Sequence, residues 1–404
     1  APTVPQPGTW QAGPVPDSGN LEALVATGMA AGDLHVDLGD IHPAGHGAFR
    51  LHCTFAGNPP IISAATPIPG LLHRGTEKLL ESRDYRSGLM LANRHDWHSA
   101  VTSEVTMALA AEALLGMKVP ERATWLRTVL CEMSRAMAAL SHLMGAATLP
   151  GVGVPAAHVA GAQAREAWQF ALERMSGGRV HPMITRIGGL AHDAPPNWTA
   201  DVRRAIDLTA EELPILMRIV ESTAHQVALD AGSTDTTPIA RLTYDDAVAY
   251  GVGGPVARAS GLDLDLRRDA PLLAYPLLQD VVTIAVDTAG DAMTRYRILG
   301  EQVGLDLHLL NTCLDRLPDG EVNVQLPKVV RAPEGISYAR LESATGVNGV
   351  LLVSTGETTP WRVRLRTASY ANVQSMTAAM PGTPLGALPL ALGSFMYVVG
   401  DLDH

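Results

Sequence analysis

Two histidines near the start of the chain have a type and spacing suited to chemistry on a loop. His42 and His46 lie four residues apart, but Pro43, Gly45 and Gly47 break the segment and argue against a helix. The imidazoles therefore do not share one helical face as a metal-binding pair would, and no metal site is predicted. Neutral imidazoles on a rigid loop suit a site that transfers protons or binds a polar head group.

A cationic turn follows at His73 and Arg74, directly before Gly75. It opens a predicted helix, for which Thr76 is the expected cap. In the first turn of this helix, Glu77 interacts favourably with the helix dipole.

The composition is typical of a chain with an extensive buried surface. Of its 404 residues, 47% are hydrophobic and only 18% are charged, which favours a subunit that covers much of its surface with partners. The net charge of −11 and the lack of a Lys/Arg run argue against nucleic-acid binding.

The apolar periodicity predicts a mainly α chain with β-rich flanks, an α+β class. Residues 1–33 are expected to form a Pro/Gly-rich tail with a short helix near 21–29, and residues 34–404 a single body. Within this body, 34–70 is β-rich, 71–230 is a helical core and 231–404 is mixed. The predicted helices are 76–90, 98–115, 120–144, 165–175, 199–230 and 291–316, followed by strands 336–341, 350–354 and 361–366 and two short apolar helices.

The three cysteines are far apart, at Cys53, Cys131 and Cys313. Their spacing excludes a disulfide framework and a CxxC-type iron–sulfur or nickel site. They are predicted to be small buried side chains in a reducing compartment.

Neither end of the chain predicts membrane insertion. Residues 1–20 lack the apolar core of a signal peptide. Residues 367–400 carry no charge, but Pro381, Pro384 and Pro389 interrupt them, so buried packing is predicted instead of a spanning helix.

Ten short motifs stand out along the chain, and Arg94-His95-Asp96-Trp97 is one of them. The full set lies at 40–47, 72–78, 94–97, 176–181, 254–261, 265–267, 290–291, 352–356, 360–362 and 400–403. In residue type and order these motifs resemble those of the D subunit of NADH–quinone oxidoreductase (respiratory complex I), and the resemblance runs from about Asp37 to the end of the chain.

The resemblance implies a helical core like that of the large subunit of nickel–iron hydrogenases, to which this family is related. Those hydrogenases hold nickel and iron with two CxxC pairs. The matching residues here, 96–99 and 398–401, contain no cysteine, so hydrogenase activity is not expected.

The resemblance also implies roles for individual residues. Arg74, Arg94 and His181 match positions that face the terminal 4Fe-4S cluster of the neighbouring B subunit, where a positive charge favours the reduced cluster. His46 matches the histidine that holds one quinone oxygen, with His42 as its loop neighbour.

Trp97 takes the place of the family's tyrosine at the other quinone oxygen, so His46 and Trp97 are the predicted catalytic pair and His42, His46 and Trp97 the quinone-binding set. An indole N–H donates a hydrogen bond but cannot release a proton as a phenol can.

The carboxylate that partners the family's histidine is also missing, because no Asp or Glu occurs from Met133 through Arg165. An imidazolium at His46 is then less stabilised. The family's Asn-His on the same helix is absent as well.

The function implied is that of a peripheral subunit of an NADH–quinone oxidoreductase on the cytoplasmic side of the plasma membrane. It would adjoin subunits B, C, H and I, bind quinone as substrate, hold no cofactor of its own and reach the membrane through partners. NADH would be oxidised elsewhere, because Gly251–Gly254 lacks the strand–turn–helix context of a dinucleotide site. Two alternatives stay open, namely a scaffold paralogue that has lost quinone reduction and a related enzyme fed by another electron donor.

Overall fold

An antiparallel sheet precedes the helical part of the chain. The structure is a computed structural model that describes residues 31–34, 38, 42–45, 49–149, 160–232 and 238–404. Strands β1 (Ala31–Leu34), β2 (Arg50–Ala56) and β3 (Ile61–Ile68) pair in that order. The first strand begins inside the segment predicted as a tail, and the helix predicted near 21–29 lies outside the described residues.

The helices of the middle part follow the predicted periodicity with one exception. They are α1 (Thr76–Glu81), α2 (Tyr85–Ala92), α3 (Ala100–Leu114), α4 (Glu121–Ala147), α5 (Ala162–Ser176) and α6 (Trp198–Asp230). The prediction of a single helix over 76–90 is wrong. The first helix ends at Glu81, and Asp84 caps a second helix by accepting hydrogen bonds from the N–H groups of Arg86 and Ser87. Thr76 is not the cap either, because Gly75 holds that position with a φ of 65°.

The remainder of the chain contains both helices and strands. A short hairpin, β4 (Thr185–Arg186) with β5 (Gly189–Leu190), precedes α6. After α6 come α7 (Tyr244–Tyr250), α8 (Gly254–Ala259), α9 (Leu266–Asp269), α10 (Ala292–Asp315), the antiparallel strands β6 (Gly335–Glu342), β7 (Val347–Ser354) and β8 (Arg362–Arg366), and α11 (Ala368–Gln374), α12 (Met376–Ala379), α13 (Leu388–Gly393) and α14 (Val399–Leu402). The C-terminal part thus has four short helices where two were predicted. The α+β class is confirmed.

Helix α4 is the centre of the core. Its side chains are buried on almost every side, which is typical of a helix enclosed by other elements. It contacts α3, α5, α6 and α10, and the same core extends to the short helices near the C-terminus. The three cysteines are buried, as predicted. Within the described residues, no helix has both the length and the apolar character needed to cross a bilayer.

Buried ion pairs join α4 and α10 to the short helices α8 and α9. Arg267 contacts Asp306 at 2.6 Å, Asp265 at 2.9 Å and Glu132 at 3.2 Å, and Arg258 contacts Asp265 at 3.1 Å. The ion pairs predicted among the residues 258, 265 and 267 are therefore confirmed. Removing such charges from water is costly, so the cluster fixes loop geometry more than it adds net stability.

Arg267→Met tests this cluster, because it leaves three buried carboxylates with less positive charge around them. We expect the free energy of unfolding to fall by about 3–5 kcal/mol, measured by denaturant titration of the purified chain. The matched control is Arg268→Met. Arg268 forms partly exposed pairs with Asp263 and Asp269, so its removal should cost less than about 1 kcal/mol. Equal losses for both variants would contradict a special role of the buried cluster.

Candidate functional site

Two cavities lie on either side of the Trp97 side chain. The larger, of about 370 Å³, is bounded by α3, α4, α5 and the segment after α5. The smaller, of about 90 Å³, is lined by Arg74 and Arg94 among others. Trp97 lines both cavities, so its indole is the wall between them.

This wall depends on a glycine in the last helix. A Cβ atom at Gly400 would lie 2.1 Å from Cζ3 of Trp97 and 2.5 Å from the carbonyl oxygen of His95. No larger residue fits at this position without displacing the indole or the backbone beside it.

The larger cavity combines an apolar wall with a few hydrogen-bonding groups. One face of α4 contributes Ser134, Met137 and Ser141, whose spacing of three and four residues places them on the same side of the helix. The same rule places Arg165 and Gln169 together on α5. No Asp or Glu side chain is among the described residues that line this cavity.

The three cationic residues predicted to face a cluster lie in one neighbourhood. Arg74 and Arg94 are exposed and line the smaller cavity. His181 is hydrogen-bonded through Nδ1 to the carbonyl oxygen of Asn93 at 3.0 Å, one residue before Arg94. Burial, together with the charge of Arg94, lowers the pKa of His181 below its usual value, which favours the neutral ring at pH 7.

Two carboxylates hold these cationic segments in place. Glu104 on α3 accepts hydrogen bonds from the Asn93 side chain at 2.5 Å and from the N–H groups of Met183 and Thr185 at 2.7 and 3.1 Å. It therefore joins the turn before Arg94 to the segment after residue 181.

The second carboxylate is Asp403, which follows α14. It accepts from the N–H groups of Gly70 and Leu72 at 2.7 and 2.8 Å. The turn that carries Arg74 is thereby attached to a segment far along the chain.

Asp96, beside Trp97, is a buried carboxyl group that titrates near neutral pH. Its Oδ1 accepts from the N–H groups of His98 and Ser99 at 3.2 and 3.0 Å. Burial, and secondarily the negative charge of Asp401, raises the pKa of Asp96 to about 7. A group of this kind can hold or release a proton under physiological conditions.

Three histidine rings connect the loop at residue 42 with the larger cavity. The ring centroids of His42 and His142 are 6.0 Å apart, and those of His142 and His98 are 5.6 Å apart. His98 lines the larger cavity. His142 is hydrogen-bonded through Nδ1 to the carbonyl oxygen of Ala138 at 2.8 Å, and burial lowers its pKa to about 4. His142 is therefore a neutral ring, with Nε2 as the nitrogen that accepts.

His42 fits against two glycines. A Cβ at Gly145 would lie 2.5 Å from Cδ2 of His42, and a Cβ at Gly393 would lie 2.6 Å from its Nε2. The ring is fully buried and is not among the described residues that line the larger cavity. His46 lies outside the described residues, and its predicted role stays a prediction.

Several residues that build this site were missed by the sequence reasoning. Glu104, Asp401 and Asp403 carry no local signal for their roles, although the motif at 400–403 contains two of them. His142 lies on a predicted helix, but no spacing in the sequence connects it with His42.

Comparisons with known proteins agree on one family. Residues 151–404 match the family described as respiratory-chain NADH dehydrogenase, 49 Kd subunit. The D 2 subunit of the NADH-quinone oxidoreductase of Salinispora tropica is 45% identical over 96% of this chain and 98% of the relative. The D subunit of the NADH-quinone oxidoreductase of Desulforamulus reducens is 31% identical over 91% of this chain and 97% of the relative.

A solved structure has the same fold. A chain of the membrane-bound sulfane sulfur reductase, an archaeal respiratory membrane complex, aligns with a TM-score of 0.82 and 29% identity, covering 93% of this chain and 99% of that chain. The fold is thus one used by components of respiratory membrane complexes. The chain belongs to the 49 kDa subunit family of respiratory-chain NADH dehydrogenases, of which the two relatives above are D subunits.

Gly145→Ala tests the packing of His42 against α4. In most helix interiors this change stabilises a protein, but here the new methyl group meets both the ring and the Cα atom of His42, at 2.5 and 2.8 Å. We expect a loss of about 1–3 kcal/mol in thermal or denaturant unfolding. Gly304→Ala on α10 is the control, since nothing lies within 4 Å of a Cβ there, and it should gain about 0.5–1 kcal/mol. A gain at both positions would argue against close packing at residue 42.

Asp96→Asn tests the raised pKa of the carboxyl group beside Trp97. The folded chain holds this proton more tightly than the unfolded chain, so the stabilisation is complete below about pH 4 and is lost as the pH rises through about 7. Between pH 5 and 8, the wild type should lose about 2–3 kcal/mol more unfolding free energy than Asp96→Asn.

The control for this pH profile is Asp84→Asn. Hydrogen bonding by the Ser87 N–H lowers the pKa of Asp84, so its contribution is lost only as the pH falls below the usual carboxyl range. Asp84→Asn should therefore leave the change in unfolding free energy between pH 5 and 8 the same as in the wild type. Parallel profiles for the wild type and Asp96→Asn would show that Asp96 titrates normally.

Proposed function

We propose that this chain is the peripheral subunit of a complex I-type NADH–quinone oxidoreductase in which electrons pass to a quinone. The observation that carries the proposal is the position of Trp97, whose indole separates a cationic surface cavity from a larger cavity with apolar walls. The smaller, cationic cavity on one side of the Trp97 ring suits an iron–sulfur cluster as electron donor. The larger cavity on the other side suits an organic electron acceptor.

The cationic side suits a 4Fe-4S cluster held by a neighbouring B subunit. Arg74 and Arg94 are exposed, so a partner has access to both. Their charges would stabilise the additional negative charge of a reduced cluster, and the neutral ring of His181 offers a protonatable nitrogen beside them.

The larger cavity suits a quinone head group. Its volume of about 370 Å³ falls in the range of small-molecule sites, and Trp97 offers a flat apolar face against which a ring can stack. The Trp97 indole N–H is a candidate donor to a quinone oxygen, whereas the hydroxyl groups of Ser134 and Ser141 already donate to the carbonyl oxygens of His98 and Met137. His46 is proposed as a further donor. The reaction consumes two electrons and two protons, and Asp96 is a nearby group that can hold one of the protons.

The wider assignment follows the named relatives. Subunits B, C, H and I would be the neighbours, the membrane would be reached through them from the cytoplasmic side, and NADH would be oxidised in another part of the assembly. The helical core around α4 is proposed to correspond to that of hydrogenase large subunits.

A second candidate is a scaffold paralogue that no longer reduces quinone. An indole replaces the family's phenol at residue 97, and no carboxylate occurs from residue 133 through 165. The number in the name of the Salinispora relative, D 2, fits a duplicated gene. An electron donor other than NADH is the remaining alternative, and neighbouring genes for NADH-binding subunits would count against it.

The proposal is tested on the assembly purified from native membranes through a tag at residue 1, because the C-terminal residues form part of the site. Inhibitor-sensitive quinone reduction should accompany reducible iron–sulfur signals in EPR spectra. Trp97→Ala should lower quinone reduction at least about tenfold while the EPR signals persist. Trp361→Ala is the control, because Trp361 is 66% exposed and lines neither cavity, and it should retain activity within about twofold.

Reducible clusters without quinone reduction in the wild type would favour the scaffold paralogue. Trp97→Tyr then separates the two candidate functions further. A gain of turnover from this single change would exclude a purely structural role, and continued inactivity would support one.

A further inference from the structure

The larger cavity contains an arginine whose described partners are all neutral. Arg165 on α5 donates from Nε to the Ser141 hydroxyl at 3.0 Å and from Nη1 to the Gln169 side-chain oxygen at 3.4 Å. Across residues 31–34, 38, 42–45, 49–149, 160–232 and 238–404, no carboxylate lies within 4.0 Å of its guanidinium nitrogens. The nearest acidic residue in sequence, Glu166, is engaged elsewhere.

Arg179, which lines the same cavity, shows the contrast. It donates to Glu173 at 2.7 Å and to Glu166 at 2.5 Å, and these bonds raise its pKa above the usual arginine value. For Arg165 the net direction is opposite. Burial lowers its pKa, the negative charge of Glu166 partly counteracts this, and the positive charge of Arg179 adds to the lowering. Arg179 is thus bonded directly to two carboxylates, whereas Arg165 senses Glu166 only at a distance.

The acidic side chains described beside this cavity, Glu166 and Glu173, both pair with Arg179. The segment of α4 that faces it contains no Asp or Glu after Glu132, and no acidic side chain is among the described lining residues. The rings of His42, His98 and His142 add no negative charge, because a histidine ring is either neutral or positive. A half-buried guanidinium in such surroundings favours a ligand that carries negative charge.

We propose that Arg165 holds a negatively charged oxygen on a quinoid ring bound in the larger cavity. This inference rests on the proposed function and specifies the form of the ligand. One electron from the neighbouring iron–sulfur protein, which is thereby oxidised, converts a neutral quinone into an anion without a proton. A second electron and two protons then complete the quinol. Arg165 keeps its own protons throughout, so it stabilises the anion and does not serve as the acid.

The geometry fits this role. The guanidinium is fixed by Ser141 on α4 and Gln169 on its own helix, so it need not be ordered when the ligand binds. The indole of Trp97 lines the same space and can stack on the ring. A charge-assisted hydrogen bond from Arg165 would therefore distinguish an anionic ring from a neutral one of the same shape.

Two probes of nearly equal size test this selectivity without any redox step. 2-Hydroxy-1,4-naphthoquinone is ionised at pH 7, whereas its 2-methoxy analogue cannot ionise. Affinities are measured by equilibrium dialysis against the purified assembly, held oxidised. The wild type should bind the hydroxy probe about tenfold more tightly than the methoxy probe. Arg165→Gln should reduce this preference to within about twofold, with methoxy binding little changed.

Arg165→Lys and Arg174→Gln complete the design. Arg165→Lys keeps the positive charge, so part of the preference for the hydroxy probe that is lost in Arg165→Gln should return. If the loss in Arg165→Gln came from packing alone, lysine would not restore it. Arg174 lies on the same helix, pairs with Asp201 at 2.5 Å and does not line the cavity, so Arg174→Gln should keep the full preference.

The outcomes separate the inference from the proposed function. Equal wild-type affinity for both probes, or an unchanged preference in Arg165→Gln, would overturn the role of Arg165 while leaving a quinone site in place. Failure of both probes to bind the wild type would contradict the quinone cavity itself, and the inference with it. An equal loss in Arg174→Gln would assign the preference to the general charge of the helix.

Discussion

A carboxylate removed from water must be surrounded by N–H donors or cations, and this requirement organises the chain. Around Arg267 it joins α9 to α4 and α10. The same requirement acts at two buried carboxylates near the cationic surface, through backbone N–H groups and one side-chain amide. Glu104 ties the turn before Arg94 to the segment after residue 181, and Asp403 holds the turn before Arg74. The cationic surface is thus positioned by buried negative charges that do not themselves face the partner.

Charges on the two sides of Trp97 differ in how strongly solvent screens them. On the outer side, Arg74 and Arg94 are exposed and their charges are screened by solvent until a partner covers them. On the inner side, burial keeps His142 neutral and leaves Arg165 as a cation with neutral partners. A single added negative charge therefore has a larger effect inside the cavity than outside it, because the dielectric around it is lower.

The sequence predicts the long elements well, because apolar periodicity over many residues outweighs local exceptions. The helix predicted over 120–144 is observed as Glu121–Ala147, and the three strands near the C-terminus are found close to their predicted positions. The break before Asp84 was missed because a single side-chain cap outweighed a continuous pattern. The contacts of Asp403 were not predictable at all, because no local pattern shows which backbone a residue more than 300 positions away will meet. Arg165 was visible in the sequence, but its lack of a carboxylate partner depends on packing.

The hydrogen bonds from Gly70 and Leu72 to Asp403 span 333 and 331 residues, and this separation fixes an order of events during synthesis. At roughly 5–20 residues per second, a ribosome needs on the order of half a minute to reach the residue that anchors the cationic turn. During that interval Leu71 and Leu79, which remain partly exposed even in the finished fold, flank an unanchored positive segment. The nascent chain therefore presents an apolar, cationic stretch whose backbone is fixed by Asp403 only after the residues of the core have been synthesised.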